Sequence, residues 1–325
     1  MKDVLITTTS FQDTPGKHHE LLKSLGWNVT YARGPLSEDQ IFNLVGDHDG
    51  IICGDDVYSR RVLEKAMPRL QFLSKYGIGV DKIDVEVASE LGLPVFFTPG
   101  VNHTTVAEHT FMLLLMLVKK AIFHANKVSD GEWKRQTGNE IFGKNIGIVG
   151  LGRIGKEVVI RAKAFGLKVF AYDVYWDEAF ANEHEVTRAK TYEDIWENSD
   201  FISLHTNLNE KTHHLLNKDT FSQMKEGVMI VNCARGEIVN TEDMVAALKE
   251  GRVGGYGTDV LDQEPPEKEH PLLSEEKCII TPHIGSRTYE SVVRQATKAI
   301  ENLSRAFSGE EPLAQVNNVP VKKRG

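Results

Sequence analysis

Short β-type runs alternate with helical patterns along the chain, which is the grammar of parallel sheets covered by helices on both faces. The first set of runs is VLITTT, NVTYA, GIICG, LQFLSKYG and PVFFT, separated by patterns such as HHELLKSLG, SEDQIFNLV and SRRVLEKA. It predicts a five-stranded α/β unit over about residues 1 to 100. A second set, NIGIV, KVFAYD, FISLH, VMIVN, GGYGTDV and CIITPH, predicts a six-stranded sheet with helices near 153 to 165, 217 to 225 and 241 to 250. One long helical pattern, about 104 to 128, lies between the sets. Another, about 287 to 308, follows the last strand and stops at Gly309, and PLAQVNNV then looks like a return to the first domain. The pattern predicts two doubly wound parallel-sheet domains, the second inserted in the first. Two long helices at the crossings suggest two hinges and a cleft that closes on ligand.

Residues 145 to 173, NIGIVGLGRIGKEVVIRAKAFGLKVFAYD, put a strand, a glycine-rich turn, a helix, a second strand and a terminal acid in dinucleotide-binding order. Gly150 allows the tight turn, Gly152 lets backbone approach a pyrophosphate, and Gly155 lets the helix pack on the strand. The helix N-terminus offers free N–H groups to phosphate. Asp173 ends the second strand, where a carboxylate accepts hydrogen bonds from an adenosine ribose and repels a 2′-phosphate. That favours NAD over NADP. The second domain is therefore expected to be a Rossmann NAD-binding domain over 103–289, with a discontinuous substrate-binding domain built from 1–102 and 290–325.

Bulk properties fit an enzyme of two domains: 325 residues, 41% hydrophobic content and a formal charge of −8. A pI near 5.9 gives no general attraction to nucleic acid or to anionic membrane. The basic Lys-Lys-Arg near the C-terminus reads as a solvated tail. Three widely spaced cysteines, Cys53, Cys233 and Cys278, imply no disulfide framework and fit a reducing, cytoplasmic setting. MKDVLITTTS reads as a first strand rather than a signal peptide, because its apolar run is short and interrupted by threonines. The apolar FMLLLMLV, 111 to 118, is too short to span a bilayer and reads as the centre of a buried helix.

Three further segments carry chemistry. VNCARGEIVN places Arg235 just past a buried strand, TDVLDQEPP places Glu264 in a loop after the next strand, and TPHIGS places His283 after the last. All three lie beyond C-terminal strand ends, where doubly wound folds build their sites. Arginine has the planar fork that holds a carboxylate bidentately. Histidine exchanges a proton near neutral pH, and a glutamate beside it favours the imidazolium and fixes its tautomer. A metal-hydrolase reading finds no support, because AEHT lacks the HExxH spacing and the pairs His18, His19 and His213, His214 are expected to diverge as surface or capping residues.

These motifs, with KYGIGVDKIDVEVASELGLPV (75 to 95), TPGVNHTTVAEHT (98 to 110) and GKNIGIVGLGRIGKEV, resemble the D-isomer-specific 2-hydroxyacid dehydrogenase family in order and spacing over nearly the whole chain. Within that family NCARGEIVN, SDFISLHT and GEWKR look most like the catalytic part of 3-phosphoglycerate dehydrogenase. The resemblance implies a flavodoxin-like substrate domain and a Rossmann domain that pairs two copies into a homodimer. It implies that Arg235 binds the substrate, that His283 is the general acid or base, and that Glu264 is its partner. Lys75, the Gly77, Ile78 and Gly79 loop, and Asn102 would contact a small 2-hydroxy or 2-oxo acid. Arg153 and Ile154 would meet the pyrophosphate, and Thr206, Cys233, Ala234 and Asp259 the nicotinamide half of NAD.

Asp55 and Asp56 stand where phosphoglycerate enzymes carry a basic residue toward phosphate, which points to an unphosphorylated acid such as glyoxylate or hydroxypyruvate. Arg60, Arg61 and a partner chain's Arg135 are the cations that could reverse that preference and make this a short phosphoglycerate dehydrogenase. A reading of another class, an NAD-sensing corepressor that recruits peptide partners, also occurs among such relatives.

Overall fold

The computed structural model describes residues 1–321; the basic Lys-Lys-Arg tail lies outside them. The chain divides into two compact units, Met1–Asn102 with Arg287–Gly325, and His103–Ser286.

The first unit is a five-stranded parallel sheet of β1 (Asp3–Ile6), β2 (Asn28–Tyr31), β3 (Gly50–Cys53), β4 (Phe72–Lys75) and β5 (Val95–Phe96), in the order β2-β1-β3-β4-β5. Strand alternation sorts its side chains onto two faces. Leu5, Ile51 and Cys53 join one buried cluster with Val62, Leu63, Val87 and Ala88, which come from α4 (Arg60–Ala66) and α5 (Val85–Glu90). Val4, Ile6 and Ile52 join the other, with Phe11 of α1 (Thr9–Asp13) and Leu22 of α2 (Lys17–Ser24). Between β2 and β3, α3 (Glu38–Leu44) begins with a capping box made by Ser37 and Gln40.

The second unit opens with α6 (His103–Lys119), which buries nine residues, and α7 (Ala121–Ser129), which buries none. The single helix expected over 104 to 128 is broken at Lys120, whose φ of +52° is left-handed. Neither glycine nor proline marks that position. The sheet contains β6 (Asn145–Val149), β7 (Lys168–Tyr172), β8 (Thr187–Arg188), β9 (Phe201–Leu204), β10 (Val228–Asn232), β11 (Val253–Thr258) and β12 (Cys278–Ile280). Its order is β12-β11-β10-β9-β6-β7-β8, all parallel, with seven strands rather than the six expected. The extra one, β8, is an exposed two-residue edge with no apolar alternation to betray it.

Adjacent strand residues again face opposite layers. Ile148, Phe201 and Val231 pack with α6 and with α8 (Arg153–Ala164), whereas Val149, Ile202 and Ile230 pack with residues of α10 (Tyr192–Asn198), α11 (Lys218–Gln223) and α12 (Thr241–Glu250). A short α9 (Glu178–Glu183) precedes β8. The strand order reverses between β6 and β9, the point at which doubly wound sheets open for a ligand.

The final helix, α13 (Tyr289–Ser308), belongs to the first unit, capped by Thr288 at its start and by left-handed Gly309 at its end. Beyond it, Gln315 bridges Phe96 of β5, and the Asn317 side chain accepts from the Val95 N–H at 3.0 Å. No helix among the described residues is long and apolar enough to cross a membrane.

Candidate active site

The glycine-rich turn follows β6 at the switch point, and its three glycines answer to different demands. Gly150 has φ +100°, and a Cβ on it would stand 2.5 Å from the His205 carbonyl oxygen at the end of β9. A Cβ on Gly155 would collide with the Gly150 carbonyl. The fold itself therefore excludes side chains at both positions. Gly152 is different: its φ is −73° and a Cβ there meets nothing within 4 Å. Neither strain nor packing demands glycine at 152, and the open space above it at the start of α8 is what a bound pyrophosphate requires.

Gly152 caps α8 without a side-chain hydrogen bond, so helix N–H groups at Arg153 and Ile154 remain to meet an anion. Asp173, just past β7, accepts from Leu151 N at 2.6 Å and from Tyr175 N at 2.7 Å. A carboxylate in that place keeps further lone pairs for ribose hydroxyls. These features fit a dinucleotide.

Arg235, Glu264 and His283 all lie in the second unit, on the loops after β10, β11 and β12. Buried Asn232 ties the first loop: its Nδ2 donates to Arg235 O at 2.8 Å and its Oδ1 accepts from Ala234 N at 3.0 Å. A Cβ on Gly236 would overlap the Leu261–Asp262 backbone, so the Arg235 turn packs directly on the segment that leads to Glu264. Glu264 Oε1 accepts from Leu261 N at 2.9 Å, while Oε2 lies 2.7 Å from His283 Nδ1. Each side chain of the pair is about one-third exposed, at 31% and 32%. A carboxylate can only accept, so Nδ1 carries the proton, and proton exchange with a ligand would fall to Nε2.

Around the pair, Thr206 follows β9, and the turn after β10 carries Cys233, whose thiol burial pushes up to about 12 and so keeps protonated. Asp259 is buried, and its carboxylate accepts from Thr281 Oγ1, Ile284 N and Gly285 N. Burial alone would raise this carboxyl, but hydrogen bonds from His109 and Thr281 outweigh it and hold the group below the usual range. His109, Thr281 and Asn232 are thus part of the site's support. The motifs AEHT and TPHIGS contain two of them, but no spacing rule announces their contact.

In the first unit, Lys75 is buried and its Nζ is held by Gly54 O at 2.6 Å and Asp55 Oδ1 at 2.5 Å. Gly77, at φ +134°, spends its N–H on Thr98 Oγ1 at 2.8 Å, so it is not open for the anchoring role expected of it. The Ile78 and Gly79 N–H groups have no protein acceptor among the described residues. Asn102 is buried with its Oδ1 unpartnered, an acceptor that suits a polar ligand.

Two expectations fail here. Asp56 does not face outward; it is fully buried and accepts from Thr7 Oγ1, Leu36 N at 2.8 Å and Gly54 N at 3.2 Å, stapling the loop. His18 is likewise buried, bonded to Phe11 O at 3.0 Å, and it lies against His19 with ring centroids 4.1 Å apart rather than diverging. His213 and His214 also stack, at 3.9 Å, on a turn rather than a helix.

Comparison with known proteins adds independent support. The family described as D-isomer specific 2-hydroxyacid dehydrogenase, NAD binding domain, matches residues 111–285. A D-3-phosphoglycerate dehydrogenase of Methanocaldococcus jannaschii is 34% identical over 330 residues, covering 100% of this chain; the chain spans 62% of that protein's length. A glyoxylate reductase of Thermofilum pendens is 36% identical over 300 residues, with 89% of this chain and 87% of that protein covered. Among solved structures, the TT0316 protein of Thermus thermophilus superposes with a TM-score of 0.87 at 35% identity, covering 97% of this chain and 100% of that one.

Proposed function

Since the chain belongs to the D-isomer-specific 2-hydroxyacid dehydrogenase family, whose matched domain binds NAD, we propose that Arg235, Glu264 and His283 serve the interconversion of a D-2-hydroxy acid and its 2-oxo acid. The observation that carries this reading is the 2.7 Å pair between His283 and Glu264. Bound NAD supplies or accepts the hydride. In reduction, His283 Nε2 gives its proton to the carbonyl oxygen while Glu264 stabilises the imidazolium; in oxidation, the neutral ring takes the proton back from the hydroxyl. Arg235 holds the substrate carboxylate through its fork and stays charged throughout. Within the first unit taken by itself, the Ile78 and Gly79 N–H groups are donors of a kind suited to a carboxylate. Arg153, Ile154 and Asp173 would hold the adenosine diphosphate part, with Thr206, Cys233, Ala234 and Asp259 toward the nicotinamide. His283→Ala should lower turnover by about two to four orders of magnitude with NADH binding near normal. Unchanged turnover would remove His283 from the reaction.

For substrate, we propose a small unphosphorylated acid of the glyoxylate or hydroxypyruvate kind. With Asp56 buried, the argument rests on pairing in the first unit. Lys75 is matched by Asp55, Arg60 by Glu90 and Glu64, and Arg61 by Asp39, so those cations already have carboxylate partners. A phosphate dianion would have to compete with these ion pairs. The competing reading, a phosphorylated three-carbon acid, draws on the relatives named D-3-phosphoglycerate dehydrogenase and on Arg135 in an exposed segment. Steady-state comparison of glyoxylate, hydroxypyruvate and 3-phosphohydroxypyruvate decides between them, and a preference for the phosphorylated acid overturns the proposal. An absence of turnover with every 2-oxo acid, alongside tight NADH binding, would favour the corepressor reading.

We further propose a homodimer. Residues 133–140 are exposed and without secondary structure, and Trp133 and Phe142 are 77% and 76% exposed, a large apolar area to leave in water. Light scattering across a dilution series tests it. Three unpaired cysteines are consistent with a cytoplasmic setting.

A further inference from the structure

We propose that His109 is a positioning residue for proton transfer: through Thr281 and Asp259 it fixes the loop that presents His283. The inference rests on the role given to His283 above. His109 projects from α6 with its side chain 10% exposed, and its Nε2 lies 2.8 Å from Thr281 Oγ1 and 3.3 Å from Asp259 Oδ1. Donor counting orders the chain of bonds. A threonine hydroxyl has one proton, and Thr281 gives it to Asp259 Oδ1 at 2.6 Å. The same oxygen must therefore accept from His109, which fixes the Nε2–H form of that ring.

Asp259 passes the constraint on. Its carboxylate accepts from Ile284 N at 2.9 Å and Gly285 N at 2.6 Å, and its carbonyl accepts from His283 N at 2.9 Å. Thr281, His283, Ile284 and Gly285 are thus all tied to one buried residue that α6 braces from behind. The bracing has work to do, because His283 is held at φ +52°, a conformation that a non-glycine residue keeps only where neighbouring contacts impose it. Packing leaves no slack: a Cβ on Gly285 would stand 2.7 Å from Asp259 Oδ2 and 3.6 Å from His109 Cδ2. Loss of the His109 donor frees the Thr281 hydroxyl to rotate away from Asp259 and lets the loop relax from the left-handed geometry. His283 then keeps its chemistry but not its aim.

The test is kinetic. His109→Phe keeps a ring and removes the donor, whereas His109→Gln returns an N–H near the same place. Misplacing a reacting group by about 1 Å can cost about 100-fold in rate. His109→Phe should therefore lower kcat about tenfold or more while substrate KM and NADH Kd stay within about twofold, and His109→Gln should recover most of kcat. If His109→Phe does not fold, Thr281→Val breaks the same link with little change of shape, and the same loss of kcat is expected. Wild-type kcat in the donor-free variant overturns the proposal. So does a joint loss of kcat, KM and NADH affinity that His109→Gln does not repair, because that pattern is general damage. His283→Ala is measured alongside. If it turns over normally, the role of His283 itself has failed; if it is inactive while the donor-free variant is fast, only the role of His109 has.

Discussion

Gly152→Ala separates a glycine kept for a ligand from one kept for the fold. The backbone at 152 has φ −73°, open to any L-residue, and an added methyl meets no atom within 4 Å. The substitution should therefore leave stability within about 1 kcal/mol of the wild type, because the gain of about 0.4–1 kcal/mol through the unfolded chain is offset by alanine's poorer capping at the helix start. Gly155→Ala is the matched contrast: its methyl would overlap the Gly150 carbonyl, and overpacking against rigid backbone costs about 1–3 kcal/mol or more. In a chain of this size each kcal/mol moves the melting temperature by about 2–4 °C. Gly152→Ala should thus melt within a few degrees of the wild type yet bind NADH at least about tenfold more weakly, a loss of about 1.4 kcal/mol. Gly155→Ala should melt several degrees lower whether or not cofactor is present. Thermal melts and fluorescence titration with NADH give both numbers. If Gly152→Ala binds NADH as the wild type does, the open space above residue 152 is not where the pyrophosphate lies. If it melts well below the wild type, the glycine serves the fold after all.

Glu264→Gln removes the charge that favours His283 in its protonated form, and reduction needs that form, so the pH limit for reduction must move to lower pH. The carboxylate sits 2.7 Å from Nδ1 with both side chains about one-third exposed, so the expected move is downward and tempered by solvent. A pH–rate profile of NADH oxidation that does not move would dissolve the partnership. Asp173→Ala should narrow the preference for NADH over NADPH by removing repulsion of the 2′-phosphate; equal kcat/KM for both cofactors in the unmodified enzyme would already refute that role. Asp56→Ala strips the acceptor from the buried Leu36 N–H and Thr7 hydroxyl, while the half-buried Gly54 N–H keeps Thr7 Oγ1 at 3.3 Å; at about 1–3 kcal/mol for each buried group left unsatisfied, urea unfolding should show a loss of about 2 kcal/mol or more. Stability equal to the wild type with an altered substrate preference would instead return Asp56 to the substrate.

The sheet architecture was legible because the central strands of both units are parallel and buried on both faces, which writes them as continuous apolar runs between helical periods. GIIC and NIGIV need no partner to be recognised as strands. Exposed β2 was still marked by the β-branched and aromatic residues of NVTY, whereas two-residue β8 carried no such run. Thr187 and Arg188 pair with β7 at an exposed edge, and nothing in two polar residues marks them as a strand. The break at Lys120 was hidden for the converse reason. The apolar pattern of α6 runs on into AIFHA, and a lysine in the left-handed region has no signature of its own.

The candidate site divides along a similar line. Arg235, Glu264 and His283 were legible because each follows a recognisable strand, and strand ends in this topology converge on one edge of the sheet. The residues that aim them are polar groups whose partners are remote in sequence, as His109 is from Thr281 and Asp259, and such partners carry no period and no spacing. The same blindness produced the error at Asp56. A carboxylate in a loop reads as solvated, because charged side chains are almost never fully buried without partners. The three donors that make burial possible for Asp56 come from Thr7, Leu36 and Gly54, which only the folded sheet brings together. Strand-end loops in such folds must satisfy their backbone internally while leaving reactive side chains exposed, and a buried carboxylate that accepts several N–H groups at once does this with one residue. Asp56 does it after β3 and Asp259 after β11, so each unit has the same solution at the end of its sheet where ligand contacts are expected.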